Sequence, residues 1–320
     1  MDEPEIPQDL IETIQQHHDL AEGELIAEVE RMIGKITTPK VCHYTDEAGL
    51  RGILESGRIW QTDIFSQTDI SELRHGLGFA NNAVAAAAEQ ADAKNEVKMF
   101  AKGFAHFQTK LPQSANYFIA CFGSVPNDLG NWIEFAGDGK GYGLVFDRAA
   151  LVRAHVAGVV ASEFDRLSFP VTYDDAAIDR LQQRIMTSTL PCLSAPRARA
   201  ESIDRLVALQ FMTQASSCIS ILAVRAALLF KNEAFKKQSE FRLMELHPEP
   251  PVSSSIKTPP SGKRYAEFDW RSHEPAALRE IIVGPNADHD AAKRIASELV
   301  AKTCPIQSVA VTVSDIPYRH

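Results

Sequence analysis

HYTDEAGLRGILESGRIW, residues 43–60, changes its periodicity twice. His43, Tyr44 and Thr45 continue the run KVC before them as a strand, and the alternation of a strand puts His43 and Thr45 on one face and Tyr44 on the other. Leu50, Ile53 and Leu54 then recur at helical spacing, with Asp46 placed to cap the helix and Gly57 to end it. RIWQT returns to strand character. A strand, a short helix and a second strand make a frame that holds His43 and Thr45 at fixed positions, and the rest of the chain is read outward from it.

Before it, residues 8–34 space Leu10, Ile11, Ile14, Leu25, Ile26 and Val29 as one helix or a helix pair with an acidic outer face. After it, residues 71–109 are Ala-rich and helical. ANYFIACFGS (115–124), GYGLVFD (141–147) and LSFPVTYD (167–174) read as strands, with a short helix in DLGNWIEFA (128–136). Residues 175–232 carry a long helical periodicity, SEFRLMEL (239–246) is strand-like, and HPEPPVSSSIKTPPSGK (247–263) is an exposed loop by its Pro and Ser content. YAEFDW, ALREIIVGP, a helix over 288–302 and SVAVTVS complete the chain. Strands scattered among helices without a regular βαβ rhythm predict an α+β class with a helical insertion at about 175–232.

The composition excludes several classes. With 320 residues, 45% of them hydrophobic, the chain can bury a sizeable core, and its net charge of −9 argues against a broad basic face for duplex nucleic acid. No run of roughly 18 apolar residues suggests a membrane span, and MDEPEIPQDL is unlike a signal peptide, so a cytoplasmic location is expected. The five cysteines are far apart without a CxxC pair, which suits small core residues better than disulfides or a zinc cluster.

Most chemical motifs fail on context. GDGKGYG (137–143) precedes a strand where a phosphate loop should follow one and open a helix, so it reads as a turn. GPNADHDAAKR (284–294) does open a helix, but capping by Asn286 or Asp288 explains it as well as an anion site does. The histidines show no HExxH spacing, no GxSxG elbow is present, and no metal is expected. Two strand faces remain: His43 with Thr45, and Gln238 with Glu240 and Arg242, the glutamate being either an edge charge or a functional carboxylate.

Taken as a series, HYT, GLRGILESGRIW, ACFGSVPNDLGNWIEFAGDGKGYGLVFD, VTYDD, KNEAFKKQSEFRL and LREIIVGP resemble the bacterial family catalogued as domain of unknown function 2971. The resemblance runs from about residue 41 to the terminal SDIPYRH and leaves the first 36 residues outside. One departure is FSQTDISEL, where that family shows an Asn-Asp turn followed by a glutamate and this chain has Asp69 and Glu72. The stretch 43–60 also resembles the opening of ADP-ribosyltransferase-type folds, in which a strand bearing His-x-Thr leads into a helix and a second strand.

That resemblance implies split antiparallel β-sheets around a cleft, in a single domain over 37–320 behind an N-terminal helical extension at 1–36. It implies NAD as substrate. His43 would hydrogen-bond a ribose hydroxyl, with Tyr44 and Thr45 beside it. Tyr117 or Phe122 would stack on nicotinamide, with Trp132 or Tyr142 as alternatives, and Ser124 would stand at the strand end. Glu240 would be the catalytic glutamate, Gln238 would orient the acceptor, and Arg242 would pair with Glu240 or bind an NAD phosphate. Core packing is the plainer reading of Phe135 and Phe146. The expected activity is ADP-ribosyl transfer to a protein or nucleic acid in a toxin or anti-phage setting. An NAD glycohydrolase, a non-catalytic binding module, and a metal-dependent hydrolase built on Asp69, Glu72 and His75 are the alternatives.

Overall fold

The computed structural model describes residues 5–66, 70–90, 94–114, 116–157, 165–199, 204–247, 256–259, 262–305 and 308–318. In chain order the elements are α1 (Gln8–Ile33), β1 (Lys40–Thr45), α2 (Glu47–Ser56), β2 (Arg58–Asp63), α3 (Ile70–Glu89), α4 (Asn95–Ser114), β3 (Asn116–Gly123), α5 (Leu129–Phe135) and β4 (Tyr142–Asp147). There follow α6 (Arg148–Val156), β5 (Asp165–Pro170), α7 (Asp175–Thr189), α8 (Arg205–Ala227), β6 (Glu240–His247), β7 (Ile256–Lys257), β8 (Tyr265–Asp269), β9 (Leu278–Val283), α9 (His289–Thr303) and β10 (Ala310–Val313). The chain is of mixed α and β structure, consistent with the α+β expectation.

The opening stretch folds as its sequence predicts. Asp46 accepts a hydrogen bond from the Gly49 amide at 2.8 Å, and Gly57, at φ 71°, donates to the Ile53 carbonyl at 2.9 Å. The left-handed conformation at the end of α2 favours glycine because a side chain there would be strained. The long helical periodicity of 175–232 divides differently from the expectation: α7 ends at Thr189, a 3-10 segment runs over Leu190–Arg199, and α8 starts at Arg205. Pro191 and Pro196 lack the amide hydrogen that a continuing α-helix needs. The Pro/Ser-rich stretch 247–263 lies partly outside the described residues, and Ile256–Lys257 within it forms a short strand on β8.

Packing divides the chain into two compact units. The first comprises Met1–Ile33, Asp69–Ser114 and Thr172–Glu233; the second comprises Gly34–Thr68, Ala115–Val171 and Ala234–His320. The first unit is helical. Within it, α1 buries Leu10, Ile14, Leu25 and Val29 and packs on α7 and α8, so the N-terminal helix is part of a core. The α8 helix is long and apolar enough, by length and composition only, to cross a membrane. It buries Phe211, Ala215, Ile219 and Leu222 in the helical unit, and Arg225 on it pairs with Glu22 of α1 at 2.8 Å.

The second unit is built on ten strands linked by hydrogen bonds into one mixed sheet, where split antiparallel sheets were expected. The β9–β10 pair is parallel and the other pairs are antiparallel. The sheet forks at β3. One edge of β3 pairs with β6 along its whole length, from Asn116 opposite His247 to Gly123 opposite Glu240. Its other edge is shared, with β1 meeting it at Gly123 and β2 meeting it at Phe118 and Ile119.

The two faces of this sheet carry different cores. Val41, Phe122, Leu144, Phe146, Phe241 and Leu243 face α2, α6 and α9. On the other face Cys42, Tyr44 and Val145 pack against Trp132 and Ala136 at and just after α5. Burying such large side chains supplies the main favourable term in folding, at roughly 1.5–3 kcal/mol for each aliphatic or phenyl group.

Candidate functional site

β1, β3 and β6 lie side by side where the sheet forks, with Cys42 opposite Gly123 and Gly123 opposite Glu240. Residues paired directly across a ladder point to the same face, so Glu240 shares its face with Cys42 and Tyr44, and His43 and Thr45 point to the opposite one. Side-chain contacts agree. The His43 ring lies 5.4 Å from Phe122, whereas Tyr44 meets Trp132 edge-on at 4.9 Å, and a Cβ at Gly123 would come within 3.3 Å of the Tyr44 ring. His43 and Glu240 are neighbours in the sheet but do not face each other across a cleft.

His43 is held by its own strand neighbours. Its Nδ1 lies 3.0 Å from the Cys121 carbonyl, an acceptor, so the proton sits on Nδ1 and Nε2 is the lone-pair nitrogen. Burial lowers its pKa and keeps it neutral. Thr45 ends β1 with its hydroxyl against Gly49 of α2. Tyr44 accepts from the Asp128 amide at 2.9 Å and donates to the Val125 carbonyl at 3.4 Å, tying β1 to the segment before α5.

Gln238 and Glu240 do not share an extended strand face. Gln238 ends a 3-10 turn over Glu233–Gln238, Ser239 takes φ 45°, and β6 starts at Glu240. A left-handed serine costs energy that a glycine would not, and such residues collect at functional sites. The turn is fixed from outside: the Ser124 amide donates to the Ser239 carbonyl at 2.7 Å, and Gln238 Nε2 donates to Glu134 of α5 at 2.5 Å. Gln238 Oε1 is buried and has no hydrogen-bond partner among the described residues. Glu240 and Arg242 are 6% and 4% exposed, and Arg242 Nε donates to Glu240 Oε1 at 2.6 Å. Arg242 therefore pairs with Glu240, the first of the two roles open to it from the sequence.

None of the aromatic side chains expected to stack on nicotinamide offers an open ring face. Tyr117 and Trp132 are 0% exposed and Phe122 and Tyr142 2%. Trp132 is a core residue whose indole Nε1 donates to Asn127 at 2.9 Å. Phe146 is core as expected, but Phe135 is 45% exposed, while Asn131, Trp132 and Ala136 are the buried side of this segment. Val125, Leu129 and Ile133 are exposed on the same segment and helix. The helical spacing of DLGNWIEFA gave no signal of this, since Phe135 stands three residues after Trp132 and helical spacing alone puts the two on one side.

The remaining candidates resolve into structural parts. In GDGKGYG the Gly139 and Gly141 amides donate to Trp132 and Ala136, and in GPNADHDAAKR the Gly284 and Asn286 amides donate to Gly141 and Gly139, so both loops use their amides internally and Asp288 caps α9. Asp69 lies outside the described residues. Glu72 is 3.6 Å from Lys231, while His75 is 3.4 Å from Asp175 and stacks on Phe230, so these two side chains engage different partners. Among the described residues His18, Asp19 and Glu22 cluster on α1, where Arg225 takes Glu22 at 2.8 Å. Cys42 is no nucleophile, since burial pushes its thiol up to about 12.

The buried His155 makes the unit sensitive to pH. His155 lies between Gln61 Nε2 at 3.1 Å and Ser168 Oγ at 3.0 Å, and burial and then the nearby Arg166 hold its pKa well below 6.5. It binds a proton in the unfolded chain but not in the folded one. Stability is therefore unaffected above about pH 6.5 and falls below it, by up to about 1.4 kcal/mol per pH unit for each such histidine. Urea titrations between pH 7 and 5.5 should show this slope, shallower in His155→Gln; an unchanged slope in that variant would assign the effect elsewhere. The depressed carboxylates Glu28, Glu267 and Asp269 act in a lower window, below about pH 4.5.

Comparison of the chain with protein-family models, with curated proteins and with solved structures finds no match. The likeness to the families named above rests on the quoted segments alone.

Proposed function

We propose that the chain transfers ADP-ribose from NAD to a macromolecular acceptor, with Glu240 as the carboxylate at the nicotinamide ribose. What carries the reading is the turn at Gln238–Glu240: a strained Ser239, a buried Gln238 side-chain Oε1 without a partner among the described residues, and a buried carboxylate paired with Arg242 at the start of β6. In the reaction the bond from ribose C1′ to the nicotinamide nitrogen breaks and its electron pair leaves with nicotinamide. The acceptor nucleophile bonds C1′ and gives up its proton. A fixed carboxylate stabilises the positive charge that develops on the sugar between those events.

In this reading Gln238 orients the acceptor, and the exposed Val125, Leu129, Ile133 and Phe135 beside it supply the surface a macromolecule would meet. Water as acceptor makes the same site an NAD glycohydrolase. The ribose-binding role expected of His43 is the part of the scheme that the face assignment weakens, because Tyr44, not His43, shares the face of Glu240. That same assignment, with the Glu240–Arg242 pair, favours a second reading in which the unit binds a ligand without catalysis.

Calorimetric titration with NAD separates binding from its absence. Saturable binding weakened about tenfold by Glu240→Gln, the scale of one charge-assisted hydrogen bond to the nicotinamide ribose, supports the proposal. No binding of NAD by the unaltered chain refutes both the transferase and the glycohydrolase.

A further inference from the structure

The helical unit contains a cleft of about 660 Å³ that the proposed activity does not use. Its volume is that of a small-molecule site. Ala83, Ala86 and Ala87 of α3 form one wall, and Met186 with Leu190 and Pro191 form the other. Small side chains on a helix face let a flat or extended apolar body approach the backbone closely. A stripe of alanines alone would be ordinary helix surface, but two polar groups set this cleft apart.

Ser194 lines the cleft, is 7% exposed, and its Oγ is buried without a hydrogen-bond partner among the described residues. A buried hydroxyl left unsatisfied costs about 1–3 kcal/mol, so its position in a cleft wall points to an acceptor or donor supplied by a ligand. Lys94 lines the cleft near the start of α4 and makes no ion pair among the described residues. The carboxylate in the same wall, Asp179, already accepts from Gln183 at 2.9 Å. The cleft thus has an apolar body, an unused cation and an unused hydroxyl.

We propose that this cleft binds a small amphiphile consisting of an extended apolar chain and a carboxylate, with the carboxylate at Lys94 and the Ser194 hydroxyl donating to its second polar atom or to a second carboxylate oxygen. The lining runs from Asn82 through Ala87 of α3 to Gln90 just past the end of the helix, about 12 Å at the rise of a helix, which accommodates an extended chain of roughly ten carbons. The proposal stands independently of the NAD site, since all of its residues belong to the helical unit.

The probe is decanoate, titrated into the full chain by calorimetry, with Ala86→Trp, Lys94→Gln and Ser194→Ala as variants. Ala86 is exposed on α3, so a bulky side chain there fills the cleft without entering the core. The expected result is saturable one-to-one binding, abolished by Ala86→Trp and weakened about tenfold by Lys94→Gln, the scale of one charge-assisted hydrogen bond. Ser194→Ala should weaken binding and also raise the melting temperature of the ligand-free chain, because it removes an unsatisfied buried group. No saturable binding up to about 1 mM decanoate, or equal binding by the unaltered chain and Ala86→Trp, would overturn the proposal. Lys94→Gln changes an exposed side chain and tests the charge pairing whether or not Ala86→Trp folds.

Discussion

Arg242→Met is expected to cost about 3–5 kcal/mol of folding stability, the range for removing one partner from a buried ion pair. Both side chains are almost fully buried and the bond between them is 2.6 Å, so solvent screening does not reduce the effect as it would on the surface. The double variant Glu240→Gln/Arg242→Met should lose less than the sum of the single changes, because it removes both charges together. Urea unfolding of the two single variants and the double variant measures the coupling directly. A cost under about 1 kcal/mol for Arg242→Met would mean that the pair does not hold the start of β6. In that case the fixed position of Glu240 would lose its physical basis.

Trp132→Ala should be as damaging, at about 3–5 kcal/mol, because it empties the centre of the core beneath α5. Trp132 is 0% exposed, meets Tyr44 edge-on at 4.9 Å, lies 3.2 Å from where a Cβ would stand on Gly143, and donates its indole hydrogen to Asn127. Trp132→Phe keeps much of the packing and loses the hydrogen bond, so it should cost less than half as much. This comparison also decides the side chain's role. A packing residue moves thermal stability in both variants, whereas a stacking platform for nicotinamide would lower NAD affinity in Trp132→Ala with little change in melting temperature.

The frame around His43 was legible because three local signals agreed there: strand alternation, a helical triplet at Leu50, Ile53 and Leu54, and caps at Asp46 and Gly57. The strands at 116–123 and 142–147 were legible because they are rich in aromatic and branched side chains beside turn residues, and 240–247 because Phe241, Leu243, Met244 and Leu246 form an apolar run. The composition of the helical unit was not. It is assembled from three stretches far apart in the chain, and nothing local in α1 says that its apolar stripe packs on α7 and α8.

The site was half legible. Glu240 and Gln238 stand out as polar residues beside an apolar strand, but their geometry depends on Ser239, whose left-handed conformation no residue preference announces in a serine. Treating 238–242 as one extended run therefore placed Gln238 on the face of Glu240, when it closes a 3-10 turn instead. The relation between His43 and Glu240 was beyond the sequence for a different reason. It depends on which residues of β1, β3 and β6 stand opposite one another, and a shift of one residue in register reverses every face.

Nicotinamide release from NAD, measured with the purified chain beside Glu240→Gln and with cell lysate as the source of acceptor, tests the central claim most directly. The substitution keeps the shape of the side chain and removes its charge, and a melting curve recorded on both proteins separates lost chemistry from the destabilisation of leaving Arg242 unpaired. The account predicts release by the unaltered chain that falls by about two orders of magnitude or more in Glu240→Gln, the scale of losing one electrostatic group aimed at the transition state. Release that is equal in the two proteins, or absent with lysate present, would contradict it.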